Sequence, residues 1–315
     1  MAYKIFIDGQ EGTTGLKIHN RLKSRADLTI QTIAEADRKE PEARLKMIQN
    51  ADISFLCLPD AAAREIAALA GESSRILDTS TAHRTNQHWD YGMPELDKNQ
   101  RTLIQKSNRI AVPGCHATGF ISLVKPLIQY GIADAGYPFV CHSLTGYSGA
   151  GKNMIAQYES EGRNKELNSP RQYGLDQNHK HLPEMIAMTG IEYAPAFHPV
   201  IADYYCGMLI TVPLHTRLLA KKMSPSILQQ VFAEHYQDQP LITVKEFGEK
   251  PEDGFMAAGS LAETDGMEIY LCGHAEQITL MARYDNLGKG ASGAAIQCMN
   301  IMLNLPETTG LVLHS

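Results

Sequence analysis

Phe6-Ile7-Asp8-Gly9-Gln10-Glu11-Gly12-Thr13-Thr14-Gly15 follows the first apolar run of the chain and opens its first helical pattern. Its glycines are spaced Gly-x-x-Gly-x-x-Gly, where the commoner dinucleotide fingerprint reads Gly-x-Gly-x-x-Gly. The physics is shared. Without Cβ atoms the turn can be tight, backbone can approach a pyrophosphate, and the helix N-terminus supplies donors for the anion. A glycine-rich turn alone is a weak signal; its place between strand and helix, at the head of an alternating series, makes it a candidate nucleotide-binding turn.

Working outward from it, strands are expected at Tyr3–Ile7, Leu28–Ile33, Ile53–Leu58, Arg75–Asp78 and Arg109–Val112. Helices are expected between them at Gly15–Ser24, Glu42–Gln49 and Ala61–Leu69, the last with Asp60 as N-cap. Strand and helix in alternation imply an α/β fold, a Rossmann-type doubly wound parallel sheet with ligands beyond the carboxyl ends of its strands. From about Pro138 the pattern changes. Longer strands at Phe139–Thr145, Tyr205–Leu214, Leu241–Glu246 and Glu268–Met281, with a helix at Ser226–Tyr236 and a final one at Ala291–Leu303, predict an α+β domain with a mixed or antiparallel sheet. Glu159–Gln177 and Lys250–Gly259 are polar and read as loops.

The 315 residues suffice for two domains, and the net charge of −6 comes with no basic run, so neither nucleic acid nor an anionic membrane surface is an expected partner. A small anionic substrate stays open, since a pocket needs only one or two cations. Met1-Ala2-Tyr3-Lys4-Ile5 enters a strand directly, and no apolar stretch nears the ~20 residues of a spanning helix. The six cysteines, at 57, 115, 141, 206, 272 and 298, form neither a Cys-x-x-Cys pair nor a zinc spacing. A cytoplasmic protein with free thiols is the expectation.

Cys115 lies in Val112-Pro113-Gly114-Cys115-His116-Ala117-Thr118, between a strand end and an apolar helix. Orphan N–H groups expected at Thr118–Ile121 favour a thiolate there, the form that attacks carbonyl carbon; the alternative is a small buried hydrophobe. Asn178-His179-Lys180-His181-Leu182-Pro183-Glu184 supports three readings: a metal site from His179, His181 and Glu184 that lacks a further ligand at matching spacing, an acid/base histidine for the thiol, or a polar turn before a helix starting at Pro183. Glu35-Ala36-Asp37-Arg38-Lys39 follows the second strand; an acid there binds the ribose of NAD, and Arg38 would accept the 2′-phosphate of NADP. Gly146-Tyr147-Ser148-Gly149-Ala150-Gly151-Lys152 lacks Walker spacing, which argues against an ATP site and leaves close backbone approach to a nicotinamide or substrate, or a plain turn. Asp285-Asn286-Leu287-Gly288-Lys289-Gly290 is a third such junction.

Together these motifs resemble the N-acetyl-gamma-glutamyl-phosphate reductase family, in its shorter form, over nearly the whole chain. The match comprises Gly9/Gly12/Gly15, Cys57-Leu58-Pro59, Asp78-Thr79-Ser80-Thr81-Ala82-His83-Arg84, Tyr91-Gly92-Met93-Pro94-Glu95-Leu96, Pro113-Gly114-Cys115, Ser148-Gly149-Ala150-Gly151, His181-x-Pro183-Glu184 and Asp285–Gly290. Aspartate-semialdehyde dehydrogenases look similar in architecture but typically carry Asn-Cys at the nucleophile and lack the Tyr-Gly-x-Pro-Glu run. One departure is His116, where the family usually has Phe or Tyr.

The resemblance implies an NADP(H)-binding domain of residues 1–114 and 290–315 and a catalytic and assembly domain of residues 115–289, in a homodimer or homotetramer. It implies cofactor contacts from Gly9, Gly12, Thr13, Thr14, Gly15, Arg38, Leu58, Pro59, Ser80, Ser148, Gly149 and Asn286, and no metal. Cys115 would displace inorganic phosphate from an acyl phosphate, leaving a thioester; hydride would then give a hemithioacetal that collapses to N-acetyl-glutamate semialdehyde. His181 would be the acid/base, Glu184 its orienting partner, and Arg84 and Lys152 the holders of substrate phosphate or carboxylate. Two rivals stand beside this reading: another semialdehyde dehydrogenase, and a dinucleotide-binding regulator without catalysis.

Overall fold

A computed structural model describes residues 2–251 and 253–313. Met1, Glu252, His314 and Ser315, parts of the domain and loop expectations above, lie outside the described residues. In chain order the first stretch holds β1 (Tyr3–Asp8), α1 (Thr13–Leu22), β2 (Leu28–Gln31), α2 (Pro41–Asn50), β3 (Ile53–Leu56), α3 (Asp60–Leu69), β4 (Ile76–Asp78), β5 (Asp90–Tyr91), α4 (Gln100–Lys106) and β6 (Arg109–Ala111). The second holds α5 (Cys115–Gln129), β7 (Val140–Gly146), α6 (Lys152–Glu159), β8 (Arg171–Gln172), α7 (Leu182–Thr189), β9 (Ala196–Ala202), β10 (Met208–His215), α8 (Pro225–His235), β11 (Ile242–Val244), β12 (Met267–His274) and β13 (Gln277–Tyr284). A π turn at Gly288–Ser292 leads into α9 (Gly293–Met302). The chain up to Gly114 and Ala291–Leu311 form one compact unit; Cys115–Gly290 and the chain from Val312 form the other.

The first unit is the doubly wound fold the alternation predicted. Its six strands run parallel in the order β2-β1-β3-β4-β6-β5. Strand period 2 sorts the core: Ile5 and Ile7 of β1 face one side with Phe55, Leu77 and Ile110, while Phe6 faces the other with Leu56 and Ile76. On the first side α9 contributes Ala295, Ile296, Cys298 and Met299, fully buried, and on the second lie Ile48 of α2 and Ile66 of α3. The small residues of α9 permit close approach to its neighbours; a Cβ on Gly92 would stand 3.2 Å from Cys298 Sγ. Asp60 does not cap α3. Its carboxylate accepts the Thr81 backbone N–H and hydroxyl instead, and Pro59 holds the N-cap position.

The second unit is built on a seven-stranded mixed sheet, β11-β12-β13-β10-β7-β9-β8, as expected of its long strands. β13 pairs antiparallel with β12 on one side and with β10 on the other, and β7 and β9 pair parallel. The single strand expected over Glu268–Met281 is a hairpin that turns at Ala275-Glu276. Helix α5 packs on β10 and β13, and α8 on β11 and β12. On β10, Met208, Ile210, Val212 and Leu214 are buried, while Leu209, Thr211 and Pro213 alternate with them and are half-buried or exposed. The Ser224 hydroxyl caps α8 by accepting the Ile227 N–H. Val312 goes with this unit and not with the nucleotide-turn unit, because Asp265 holds its N–H by a carboxylate oxygen and its carbonyl by a backbone N–H.

Candidate active site

In the first unit, the glycine turn joins β1 to α1. Gly12 takes the N-cap position in extended backbone and donates its N–H to Gly9 O at 2.9 Å. Gly9 has φ +83°, and a Cβ on it would stand 2.3 Å from the Cys57 carbonyl oxygen and 3.2 Å from Leu58 Cδ2. A Cβ on Gly15 would stand 2.4 Å from Gly9 O. Backbone therefore lies on backbone here, and Thr13 and Thr14 begin α1 with no acidic side chain in its first turn. Such a bare, electropositive helix end suits a dinucleotide pyrophosphate. Beneath it, Asp8 is buried and its carboxyl pushed up by desolvation, opposed by Arg44, which donates to Asp8 Oδ2 at 2.9 and 2.7 Å. Sequence reading had not found that pair. Gly9→Ala, at a left-handed φ against an immovable carbonyl, is expected to cost roughly 1–3 kcal/mol of stability and to weaken dinucleotide binding. Thermal denaturation with and without nucleotide checks both; an undiminished nucleotide-induced rise in Tm would contradict the role given to the turn.

Other first-unit candidates have visible partners. Ser80 Oγ donates to Asp78 Oδ2 at 2.7 Å, and His83 Nδ1 meets the same oxygen at 2.6 Å while its ring stacks on Trp89. Arg84 is buried and donates Nε to Val112 O at 2.9 Å and Nη2 to Thr79 O at 3.1 Å, so this guanidinium ties the ends of β4 and β6 together. Arg38 is half-exposed beside Glu35 at 3.6 Å.

In the second unit, Cys115 itself starts α5, three residues earlier than the donor set expected from sequence. Two contacts fix its backbone. The Tyr284 hydroxyl donates to Cys115 O at 2.5 Å and accepts the Gly119 N–H at 3.0 Å. Gly290 runs directly behind it, where a Cβ would stand 3.0 Å from Cys115 Cβ. Burial raises the pKa of the Cys57 thiol to about 12 and that of Cys141 further, which keeps those thiols protonated.

His181 holds the N-cap position of α7, and its backbone N–H donates to His179 Nδ1 at 3.2 Å. The Cys115 sulfur and one ring nitrogen each of His116 and His181 lie within 4.8 Å of one another. The structure thus joins the predicted nucleophile to the predicted acid/base histidine. Glu184 is buried in the first turn of α7. His116 is held at both nitrogens, Nδ1 with Ser143 Oγ at 2.6 Å and Nε2 with the Tyr173 hydroxyl at 2.7 Å. Phe197 meets its ring edge-on. Burial, then His179 and Lys180, pushes His116 down to about 3; burial, then Lys180, pushes His179 down to about 4. Both imidazoles are neutral at physiological pH. Ser143, Tyr173, Phe197 and Tyr284 went unnoticed in the sequence, because none carries a local motif.

Asn286 donates Nδ2 to Ser148 Oγ at 3.0 Å and accepts the Gly207 N–H at 2.8 Å, and a Cβ on Gly149 would stand 3.0 Å from that Nδ2. Asn286 thus ties the turn after β7 to Gly207. Lys152 is exposed at the start of α6. A thiol at a helix start with a histidine in reach is equipped for acyl transfer through sulfur. Among the described residues no helix is long and apolar enough to cross a membrane.

Two family profiles cover the chain. "Semialdehyde dehydrogenase, NAD binding domain" matches residues 4–104, and "Semialdehyde dehydrogenase, dimerisation domain" matches residues 115–286. A nicotinamide cofactor and a small-molecule substrate follow. "N-acetyl-gamma-glutamyl-phosphate reductase 2" of Nostoc sp. is 41% identical, with 98% of this chain and 99% of the relative covered. "N-acetyl-gamma-glutamyl-phosphate reductase" of Rhizobium meliloti is 42% identical, with 96% and 100% covered. Among solved structures, aspartate semialdehyde dehydrogenase II from Vibrio cholerae aligns with a TM-score of 0.68 at 15% identity, covering 96% of this chain and 99% of that one. Aspartate semialdehyde dehydrogenase from Francisella tularensis gives 0.70 at 13%, covering 96% and 100%, a likeness of fold. The nucleotide turn in one unit, the thiol and histidine in the other and the full-length identity agree: the chain belongs to the semialdehyde dehydrogenase family and, within it, to the N-acetyl-gamma-glutamyl-phosphate reductases.

Proposed function

We propose that the protein reduces N-acetyl-glutamyl 5-phosphate to N-acetyl-glutamate 5-semialdehyde with NADPH, through a thioester on Cys115, as a step of arginine biosynthesis. The observation that carries the reading is the convergence of Cys115 Sγ with a ring nitrogen of His181 within 4.8 Å, at the start of α5. The Cys115 thiolate forms a C–S bond to the acyl carbon as the C–O bond to phosphate breaks. Phosphate is a good leaving group, so this half needs no strong acid. When bound, the reduced nicotinamide supplies a hydride to the acyl carbon. His181 gives a proton to the oxygen that becomes anionic and takes it back as the C–S bond breaks, which releases aldehyde and thiolate. Glu184 is assigned to the orientation of His181.

Gly9, Gly12, Thr13, Thr14 and Gly15 would hold the dinucleotide pyrophosphate, with Leu58, Pro59 and Ser80 along the neighbouring strand ends. Ser148, Gly149 and Asn286, linked by the Asn286 Nδ2–Ser148 Oγ bond, are assigned as further cofactor contacts. NADP is assigned over NAD on Arg38, whose exposed pair with Glu35 at 3.6 Å is worth at most about 1 kcal/mol and leaves the guanidinium available to a 2′-phosphate. Lys152 is the remaining exposed cation for substrate; Arg84, tied to two carbonyls, serves best as a strut. The half-open sheet face with Leu209, Thr211 and Pro213 suits a homodimer or a homotetramer built from one, which agrees with the dimerisation profile. None of the six cysteines is joined in a disulfide, which fits a cytoplasmic setting.

The test is phosphate-dependent reduction of NADP⁺ by the purified protein, with N-acetyl-glutamate semialdehyde and aspartate semialdehyde compared in parallel. Turnover of the acetylated substrate is expected. Turnover of aspartate semialdehyde alone would keep the chemistry and reject the substrate; turnover of neither would reject the enzyme.

A further inference from the structure

Beside the proposed nucleophile and its acid/base histidine the structure places a third donor, His116, that acyl transfer does not require. The Cys115 sulfur and ring nitrogens of His116 and His181 all lie within 4.8 Å of one another. His179 closes the group, its ring edge-on to His116 at 5.3 Å and to His181 at 4.8 Å between centroids. We propose that Cys115, His116 and His181 bind a thiophilic divalent cation, zinc above all, which masks the nucleophile reversibly.

Donor chemistry and geometry both favour this. One thiolate and two imidazoles are a ligand set that suits Zn²⁺, with a fourth tetrahedral position left for water or His179. Zn–S of about 2.3 Å and Zn–N of about 2.0–2.1 Å place tetrahedral donors about 3.3–3.6 Å apart, so contraction from 4.8 Å is a matter of side-chain adjustment. His116 makes the difference between a Cys–His pair and a three-donor site. Its ring is already oriented by hydroxyls at both nitrogens, Ser143 Oγ at 2.6 Å and Tyr173 at 2.7 Å. Whichever nitrogen takes the metal, the other keeps a hydroxyl partner, the arrangement that fixes tautomer and angle in histidine metal sites. Binding exchanges the thiol proton for the metal, with no change in oxidation state. A metal there would block attack on substrate, a consequence that rests on Cys115 being the nucleophile; the binding itself does not.

The test uses full-length protein, reduced and stripped with chelator, titrated with Zn²⁺ against a chromophoric chelator, and separately with Co²⁺ to read the thiolate charge-transfer band. One zinc per chain and a band lost in Cys115→Ser are expected. His116→Gln retains hydrogen bonding to Ser143 and Tyr173 but removes a strong ligand, and is expected to weaken zinc binding roughly 100-fold; Ser143→Ala should weaken it about 10–100-fold if Nδ1–H is the supporting donor. Circular dichroism melts confirm that each variant is folded, and His181→Gln serves as a second variant should His116→Gln fail. Zinc absent from the folded protein would overturn the proposal. So would equal affinity in the folded His116→Gln variant, since a bare Cys–His pair would then suffice. Both readouts are independent of turnover, so an active reductase that takes no zinc loses only this inference.

Discussion

Cys115→Ser is expected to lower reductase turnover by roughly 10³–10⁶-fold, the scale on which removal of a catalytic nucleophile acts. The change is one atom, and the backbone around it is held from outside the side chain. Tyr284 donates to Cys115 O, and Gly290 packs behind Cys115 Cβ; neither contact involves sulfur. The variant should therefore fold normally, and the loss should be chemical. A serine hydroxyl at a helix start is still an alcohol, far from ionised at neutral pH, and a much weaker nucleophile than a thiolate. Dinucleotide binding should survive, since the Gly9–Gly15 turn belongs to the other compact unit. Turnover and NADPH fluorescence titration on one preparation separate these effects. Turnover within tenfold of the unmodified enzyme would show that sulfur is not the nucleophile.

The first unit was legible because its information is local. Period-2 apolar runs, intervening helices and a glycine turn at the first strand end each specify backbone without reference to distant residues. The second unit was read less well where tertiary pairing decides. β9 (Ala196–Ala202) carries Pro199, and a proline inside a run demotes it as a strand; here its carbonyl still accepts the Tyr173 N–H. The β12–β13 hairpin turns at Ala275-Glu276 without an Asn-Gly signal, so two strands read as one. In the site, Cys115 and His181 could be picked out by residue type and setting. Tyr173 could not, because it lies in a polar stretch that reads as loop and gains meaning only when its hydroxyl meets His116 Nε2. Asp60 stood at a capping position yet its carboxylate is taken by Thr81, a partner 21 residues away.

The second large effect is at His181. His181→Ala is expected to slow turnover about 10²–10⁴-fold, the range of a positioned general acid or base, while alkylation of Cys115 by a neutral reagent stays close to normal. His116 and His181 lie beside this thiol and His179 packs on both of their rings, so the assignment must exclude the other two. Burial holds His116 down to about 3 and His179 down to about 4, so at neutral pH both lack the proton a general acid must give. On the proposed mechanism His181 is the imidazole assigned to exchange a proton with the oxygen formed on the acyl carbon. Steady-state turnover measured across pH, with alkylation rates on the same samples, decides it. A variant whose pH profile kept the shape and height of the unmodified enzyme's would return the proton to solvent and leave His181 as the cap of α7.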